Sequence, residues 1–440
     1  MGRTTRWRIL LIFISLTSAA LGQQSATDRA IANYQAQAHG SNNSADYDKL
    51  GAAYLQKGRE TSDFAYYELA EKALTKSLEL VPPMDMSAAA PLTHLAAVYM
   101  GEHRFSDAAE YAERALALGA GDLSPFGLLG DAHADMGNYD QAAQDYEKLL
   151  LHQSGQETPR GLSYMHDSRV SFLRFIRGDG AGAIDLARKA LTTALDSHMP
   201  RENLAWTYFQ LGEYLFQAGD LTGAEAAYQA ALNALPGYYR GLSGLAKVRV
   251  AQGKYQEAID LYKKTIDEIP IPEYVAALGD IYEKLGQQDD AKKQYELVEY
   301  IGYLTNLNQH AFNRELAVFY VDHGVKLPES LELAQRELEV RSDVYTQDVL
   351  AWSLYKSGRL KEAANVVDKA LSMGTKDAMF YFHAGLIHRD IGDLHGAREY
   401  LDEALAINPH FHIFYADAAS RALQELTPRQ TAAKLGLSRQ

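Results

Sequence analysis

The chain has 440 residues, of which 47% are hydrophobic, and this is enough apolar material for a folded core along most of its length. It carries 43 basic and 57 acidic residues, a formal charge of −14, so it lacks the basic surplus with which nucleic-acid-binding proteins neutralise phosphates. The absence of cysteine excludes disulfides, zinc–thiolate sites and iron–sulfur clusters. Tyrosine is unusually frequent, with 28 residues against 14 Phe and 3 Trp.

The N-terminal segment has the three-part layout of a secretory signal peptide. Arg3, Arg6 and Arg8 precede an apolar run over residues 9–16, and small residues follow as far as Gly22. The apolar run is too short to span a hydrocarbon core, which takes about 20 helical residues. We expect cleavage near Gly22, and an uncleaved membrane anchor is the alternative. The sequence thus predicts a periplasmic or secreted protein with no transmembrane segment in its mature chain, whose charge is −17 once the three arginines are removed.

Ten segments with a spacing of about 34 residues follow. Each contains a small residue directly after an apolar one, and the ten small residues are Gly51, Ala96, Gly130, Ser171, Gly212, Ala246, Gly279, Ala317, Ala351 and Gly385. Seven positions later, nine segments have a glycine and the second segment has His103. An alanine stands five positions beyond this glycine or histidine in eight segments. The spacing therefore identifies one structural unit that is repeated ten times.

Each segment predicts a pair of helices. Apolar residues around the small residue fall on one face of a first helix, as Tyr208, Leu211 and Leu215 do. The small residue allows a neighbouring helix to approach closely. The recurrent glycine is expected to end this helix in the left-handed conformation, and the alanine, such as Ala224, begins a second helix.

Tyrosine recurs at fixed positions of the predicted helices. A second-helix aromatic column contains Tyr146, Tyr228, Tyr262 and Tyr295. At these positions we expect the ring to pack against the first helix and the hydroxyl to reach water. The column accounts for part of the tyrosine excess.

The combined pattern resembles the tetratricopeptide repeat. Residues 208–236 show it most completely, with Gly212 after a leucine, Ala224, the aromatic Tyr228 and a closing proline. About ten such units cover residues 45–411. The resemblance implies an all-α fold, a right-handed superhelical solenoid of about ten helix-turn-helix repeats.

This assignment divides the chain into four parts. We predict a signal peptide (1–22), an N-terminal capping helix and polar loop (23–44), the repeat array (45–411) and a C-terminal capping helix and tail (412–440). Length alone suggests two to four globular domains. The repeat instead predicts one quasi-linear array with polar caps at its ends.

No motif for catalysis is present in the sequence. We find no nucleotide-binding, metalloprotease, serine hydrolase or calcium-loop pattern, and we predict no enzyme activity, no cofactor and no metal. A metal-dependent or enzymatic protein is the alternative, and it would use the C-terminal histidines His383, His388, His395, His410 and His412. Metal ligands on one helix favour a spacing of three or four, whereas His383 and His388 are five apart.

The resemblance also implies a concave groove that receives peptides. In the repeat family, residues three before, one after and four after the small residue line this groove. Aromatic residues in or beside these columns are Phe172, Phe175, Trp206, Phe209, Phe216, Trp352 and Tyr355. Aromatic side chains that are not needed for a core mark interaction sites. The alternative is that insertions, caps or neighbouring superhelical turns cover them.

The sequence therefore predicts an exported scaffold that binds a protein or peptide segment in its groove. Assembly or organisation of an envelope complex is the expected role. A passive structural or self-associating array is a further alternative.

Overall fold

The computed structural model describes residues 25–82, 84–151, 158–308 and 313–426. The predicted signal peptide and the last fourteen residues, 427–440, lie outside the described residues. Within the described ranges there are 22 α-helices, one short 3-10 turn (Met86–Ala88) and no strand. The predicted all-α repeat solenoid is confirmed.

The bounds of the helices are as follows: α1 Ala26–Ala38, α2 Ser44–Thr61, α3 Phe64–Glu79, α4 Ala89–Gly101, α5 Phe105–Ala117, α6 Ser124–Asp135, α7 Tyr139–Lys148, α8 Arg160–Ile176, α9 Gly180–Asp196, α10 Arg201–Gln217, α11 Leu221–Ala234, α12 Tyr239–Ala251, α13 Tyr255–Glu268, α14 Pro272–Lys284, α15 Gln288–Asn308, α16 Asn313–Asp322, α17 Leu327–Val340, α18 Val344–Lys356, α19 Leu360–Leu371, α20 Ala378–Ile391, α21 Leu394–Ile407 and α22 Tyr415–Leu426.

The helices are arranged as ten consecutive pairs, from α2/α3 to α20/α21, with α1 before the first pair and α22 after the last. The two helices of a pair pack most closely against each other, and second helices contact the next first helix, α15 through the hydrogen bond from Tyr320 of α16 to Glu299. All ten small residues of the sequence pattern lie in the first helices. The repeat therefore coincides with the structural unit.

Glycine in the small column makes room for a tyrosine of the second helix. A Cβ atom added to Gly130 would lie 2.3 Å from Cε1 of Tyr146, and one added to Gly212 would lie 2.5 Å from Cε1 of Tyr228. Because interiors are close-packed, such an atom would force the ring outwards. The small residue of the first helix and the tyrosine of the second helix therefore pack directly against each other.

The prediction that the recurrent glycine ends the first helix is confirmed in eight segments, as at Gly219, where φ is +75°. His103 also has a positive φ, +58°. The prediction is wrong for Gly58, because α2 continues to Thr61 and Ser62 adopts the left-handed conformation instead. A Cβ at Gly58 would lie 3.1 Å from Cζ of Tyr67, so this glycine serves helix packing.

Pairs of helices about five units apart along the chain touch, and we call this set of contacts the seam. Thr375 Oγ1 donates a hydrogen bond to the Ile176 carbonyl over 2.5 Å, and Asn408 Nδ2 donates one to the Phe216 carbonyl over 2.8 Å. Arg341 Nε lies 3.1 Å from Asp135 Oδ1. The superhelix is therefore wound tightly enough for successive turns to meet.

Candidate functional site

None of the seven aromatic residues predicted to line a groove is exposed. Phe175, Phe216 and Trp352 are buried, and the partly buried members are Phe172, Trp206, Phe209 and Tyr355. The structure brings Trp352 and Tyr355 together, with ring centroids 5.0 Å apart, and spreads the other five over α8 and α10. One of the seven, Phe216, lines the inner cavity described below.

Packing accounts for several of these rings. Phe175 stacks on Tyr214 with a centroid distance of 5.2 Å. Trp352 donates its indole N–H to Asp322 over 2.8 Å and stacks on His383 at 4.1 Å. These contacts agree with the alternative of internal packing, and the binding role of the seven residues stays a prediction.

The inner surface of the superhelix carries a repeated tyrosine–carboxylate hydrogen bond. The residue directly after the small residue is acidic in three first helices, and a second-helix tyrosine donates its hydroxyl to it. The pairs are Tyr146 to Asp131 (2.9 Å), Tyr228 to Glu213 (2.6 Å) and Tyr295 to Asp280 (2.9 Å). The expectation that the hydroxyl reaches water is wrong for Tyr146 and Tyr228, which retain 1% and 0% of their exposure, because the ring packs across the first helix and its hydroxyl meets an inner carboxylate.

On α6 to α12 a basic side chain neutralises each of these carboxylates. Arg169 binds Asp131 with Nη2 2.7 Å from Oδ2 and Nε 2.9 Å from Oδ1. Lys247 Nζ lies 2.7 Å from both carboxylate oxygens of Glu213. We call these four residues the paired wall.

A cavity of about 470 Å³ lies farther along the inner surface. The first helices α10, α12, α14, α16, α18 and α20 line it, together with the loop that joins α21 to α22. Its apolar lining includes Val250, Val318, Phe319 and Met379. Val318 retains 37% of its exposure and is therefore an accessible apolar side chain inside a concave site.

The cavity is acidic. Among the described residues that line it, six are acidic and two, Lys247 and Arg314, are basic. Both basic groups are already paired. Lys247 pairs with Glu213, which does not line the cavity. Arg314 lies 3.1 Å from Asp343 Oδ2 and 3.9 Å from Oε1 of the lining residue Glu315. We call five of the acids the acidic wall, namely Glu273, Asp280, Asp322, Asp348 and Asp377.

The acidic wall has weaker partners than the paired wall. Asp280 accepts from His323 over 2.9 Å, and Asp322 accepts from Tyr415 and Trp352, each over 2.8 Å. Neither of these tyrosine and tryptophan groups carries a compensating charge. Five of the six lining acids therefore have at most a neutral or titratable partner, and the exception is Glu315 beside Arg314.

Glu273 has no hydrogen bond or ion pair among the described residues. It lies in the first turn of α14, and its side chain is open to the cavity. Burial among protein atoms raises the pKa of its carboxyl, Lys247 opposes this shift, and the charges of Glu213 and Glu315 reinforce it. Glu273 is thus an uncompensated carboxylate in a concave site.

Asp377 is one of the two buried acids of this wall, with 6% exposure against 4% for Asp348. Burial raises its pKa to about 6, although its carboxylate accepts a hydrogen bond from the Met379 amide, and the nearby charge of Asp348 raises the pKa further. At neutral pH the ionised carboxylate of Asp377 therefore destabilises the folded state.

The loop between α21 and α22 closes one side of the cavity. Lys284 Nζ donates to the Ile413 carbonyl over 3.2 Å. The imidazole Nδ1 of His412 accepts from the amide of Phe414 over 3.2 Å, and its ring stacks on Tyr415. Burial lowers the pKa of His412, so this side chain is neutral at pH 7 and adds no positive charge to the cavity.

Three of the five C-terminal histidines, His383, His388 and His395, form separate pairs with carboxylates. His383 Nδ1 lies 2.9 Å from Asp348 Oδ2, and His388 Nδ1 lies 2.9 Å from Asp393 Oδ2. Within the described part of the chain, no three acidic or histidine side chains converge as a metal site would require. The metal-dependent alternative therefore gains no support from this geometry.

Sequence reasoning missed much of the cavity because it followed aromatic residues. A column six positions before the small residue also faces the inside, with Glu273, Tyr345 and Met379 as members that line the cavity. The residue type changes along this column, from Trp206 through Arg240 to Glu273, and this change could have identified the column as part of a binding surface.

Comparison with protein families decides the identity of the repeats. A model described as tetratricopeptide repeat matches residues 95–161, 180–239 and 349–410, and two more models of the same description match 215–281 and 272–301. Together these matches cover more than half of the chain. The chain belongs to the tetratricopeptide repeat family.

The comparisons add no closer relative to this tetratricopeptide array. No curated protein sequence matches it significantly. Among its similar solved structures is an APC/C hetero-tetramer Cut9–Hcn1 (16% identity, 92% of this chain, 97% of that chain, TM-score 0.33). A second is a tetratricopeptide repeat protein from Parabacteroides merdae ATCC 43184 (17% identity, 60% of this chain, 98% of that chain, TM-score 0.34). A third is a human IFIT1 dimer with PPP-AAAA (16% identity, 75% of this chain, 73% of that chain, TM-score 0.48).

Among the described helices of the array, none combines the length and the hydropathy that a membrane span requires.

Proposed function

We propose that the protein is an exported, non-enzymatic tetratricopeptide scaffold that binds a segment of a partner protein in the inner cavity. The observation that carries this proposal is the cavity of about 470 Å³ lined by first helices α10 to α20. Its volume lies in the range of roughly 300–1,000 Å³ that is typical of ligand sites. An accessible apolar side chain such as Val318 inside it favours a ligand over a filled core.

Export is supported by the sequence of the first 22 residues, and an exported scaffold would act in the assembly or organisation of an envelope complex. Protein recovered from the periplasmic or secreted fraction should begin at Gln23. N-terminal sequencing of that material checks cleavage, and recovery of the full-length chain from the membrane fraction would contradict it.

The binding role is tested by a photo-crosslinking amino acid placed at Val318. Leu195 is the matched control, because it is an exposed apolar residue of similar exposure (46%) at the end of α9, and it does not line the cavity. Irradiation of cells that make these variants should give a discrete adduct from position 318 and none from position 195. Equal adducts at both positions, or none at 318, would refute a partner in the cavity.

A further inference from the structure

The charge of the cavity indicates which chemical class of segment it takes, and this inference rests on the proposed function. Six lining carboxylates face two bases, and both bases are already paired with Glu213 and Asp343. An anionic segment would meet uncompensated carboxylates without a free cation to receive it. A cationic segment would meet the opposite sign of charge on several sides.

Glu273 is the residue that could bind the cation of such a segment. Among the described residues its carboxylate has neither a hydrogen bond nor an ion pair, and it is accessible from the cavity. The Glu273 side chain is exposed on the inner surface, so a cation that enters the cavity can reach its carboxylate directly. An ammonium or guanidinium group at this point would supply the missing partner through a charge-assisted hydrogen bond.

The apolar part of the lining fits the rest of such a side chain. Val250, Val318 and Met379 are partly accessible and line the same cavity as Glu273. Lysine and arginine bury their methylene stems on apolar surface while the charged end seeks a polar partner. A compact inorganic cation would leave this apolar surface uncovered, whereas a basic side chain would use both parts of the site.

We propose that the cavity binds lysine or arginine side chains of a partner's segment, and that Glu273 receives the cation. Asp280 and Asp322 strengthen the attraction from α14 and α16. The paired wall contributes no comparable attraction, because Arg169 and Lys247 neutralise its carboxylates.

The test measures binding of a short fluorescein-labelled peptide in which lysine and alanine alternate, by fluorescence anisotropy with the mature chain. The companion peptide has glutamine in place of lysine. The lysine peptide should bind, and the glutamine peptide should bind at least about tenfold more weakly, because charge-assisted hydrogen bonds contribute roughly 1.5–3 kcal/mol. Failure of the lysine peptide to bind would overturn the proposal.

Glu273→Gln and Glu296→Gln separate the site from the general negative charge of the protein. Both variants lose one charge, but the Glu296 side chain is 66% exposed on α15 and does not line the cavity. Glu273→Gln should weaken the affinity for the lysine peptide about tenfold, whereas Glu296→Gln should change that affinity by less than about twofold. Equal losses in the two variants would show non-specific attraction and would contradict the proposal.

Val318→Lys provides a second variant that does not depend on Glu273. It places a cation inside the cavity and should abolish peptide binding, whereas Val318→Leu should preserve it. Circular dichroism should show unchanged helix content in both. Unchanged peptide affinity of Val318→Lys would overturn the site.

The outcomes also distinguish this inference from the proposed function. If the Val318 crosslink to a partner persists undiminished in Glu273→Gln, the scaffold function stands and the basic-segment proposal fails. If no crosslink forms in the otherwise native chain, the proposed function fails first. Binding of spermidine without binding of the lysine peptide would assign the cavity to small amines and would contradict a peptide occupant.

Discussion

The paired wall and the acidic wall are built by the same repeat and differ in how their carboxylates are compensated. In both, a second-helix tyrosine packs on a small residue and donates its hydroxyl to the next acid, as Tyr146 does to Asp131 and Tyr295 does to Asp280. The paired wall adds Arg169 or Lys247, whereas the acidic wall adds at most a histidine, either His323 or His383. The repeat fixes where the carboxylates lie, and single residues of the neighbouring repeat decide whether their charge is neutralised or left for a ligand.

Removing a base from the paired wall should have the largest effect. Arg169→Met leaves Asp131 without its bidentate partner in a site where both side chains are about three quarters buried. We expect the unfolding free energy to fall by about 2–4 kcal/mol, because breaking such a pair isolates the remaining charge. Urea unfolding followed by circular dichroism measures this.

Arg174→Met is the control for that variant. Arg174 pairs with Asp179, but its side chain is 49% exposed, so its loss should change stability by less than about 0.5 kcal/mol. Similar losses for the two variants would mean that the paired wall is not held by its ion pairs.

The shared tyrosine packing should be equally sensitive in both walls. Gly130→Ala and Gly279→Ala each place a Cβ within 2.4 Å of a tyrosine ring and should cost about 1–3 kcal/mol through overpacking. Gly161→Ala, with no atom within 4 Å of the new Cβ, should be neutral or slightly stabilising. A large loss of unfolding free energy for Gly130→Ala with none for Gly279→Ala would show that the two walls do not share this glycine–tyrosine packing.

Relieving charge in the acidic wall should stabilise the protein. Because the folded pKa of Asp377 is about 6 and the unfolded value is 3.8, the folded state binds more protons between these values and loses stability as pH rises through them. Asp377→Asn should therefore raise the unfolding free energy at pH 7 by about 1–2 kcal/mol and flatten its pH dependence.

Asp393 offers a matched control for that gain. It caps α21 as Asp377 caps α20, but it is exposed and its pKa is lowered by hydrogen bonds from the Gly396 amide and His388. Asp393→Asn should give no stabilisation in thermal unfolding. An equal gain from both substitutions would attribute the effect to capping and not to burial.

The smallest effect concerns His323, the histidine that pairs with Asp280 of the acidic wall. Burial opposes charge on His323, but the hydrogen bond to Asp280 and its charge outweigh burial and raise the pKa of His323 above 6.5. Its contribution is therefore fully present below pH 6.5 and is lost as pH rises through the folded pKa. Melting temperatures across this window should decline slightly in the native chain and decline less in His323→Gln. An identical decline in the two proteins would contradict the assignment.

The helix pairs could be predicted from the sequence because their determinants are local. Gly219 ends α10 and Ala224 packs inside α11 through contacts within one repeat. The departure at Gly58 was not predictable, since a glycine that makes room for Tyr67 and a glycine that ends a helix look the same in sequence.

The cavity was harder to predict because it depends on superhelical curvature. The seam joins residues such as Ile176 and Thr375, which are 199 positions apart, and small rotations per repeat decide whether they meet. The sequence favoured Trp352 and Phe175 as open groove residues, but adjacent helices cover them. Trp352 packs against His383 and Tyr415, and Phe175 packs against Tyr214. Glu273 instead faces the inside. The sequence pointed to aromatic residues because of their type. In the structure, the proposed site is identified by the unpaired carboxylate of Glu273.

The central claim is that the acidic wall leaves a specific charge uncompensated and that a basic segment supplies its partner. The measurement that tests it most directly is the ratio of the dissociation constants of the lysine peptide for Glu273→Gln and Glu296→Gln under the same salt conditions. We predict a ratio of about ten, because one carboxylate lies in the cavity and the other on an exposed helix. A ratio near one would contradict the claim.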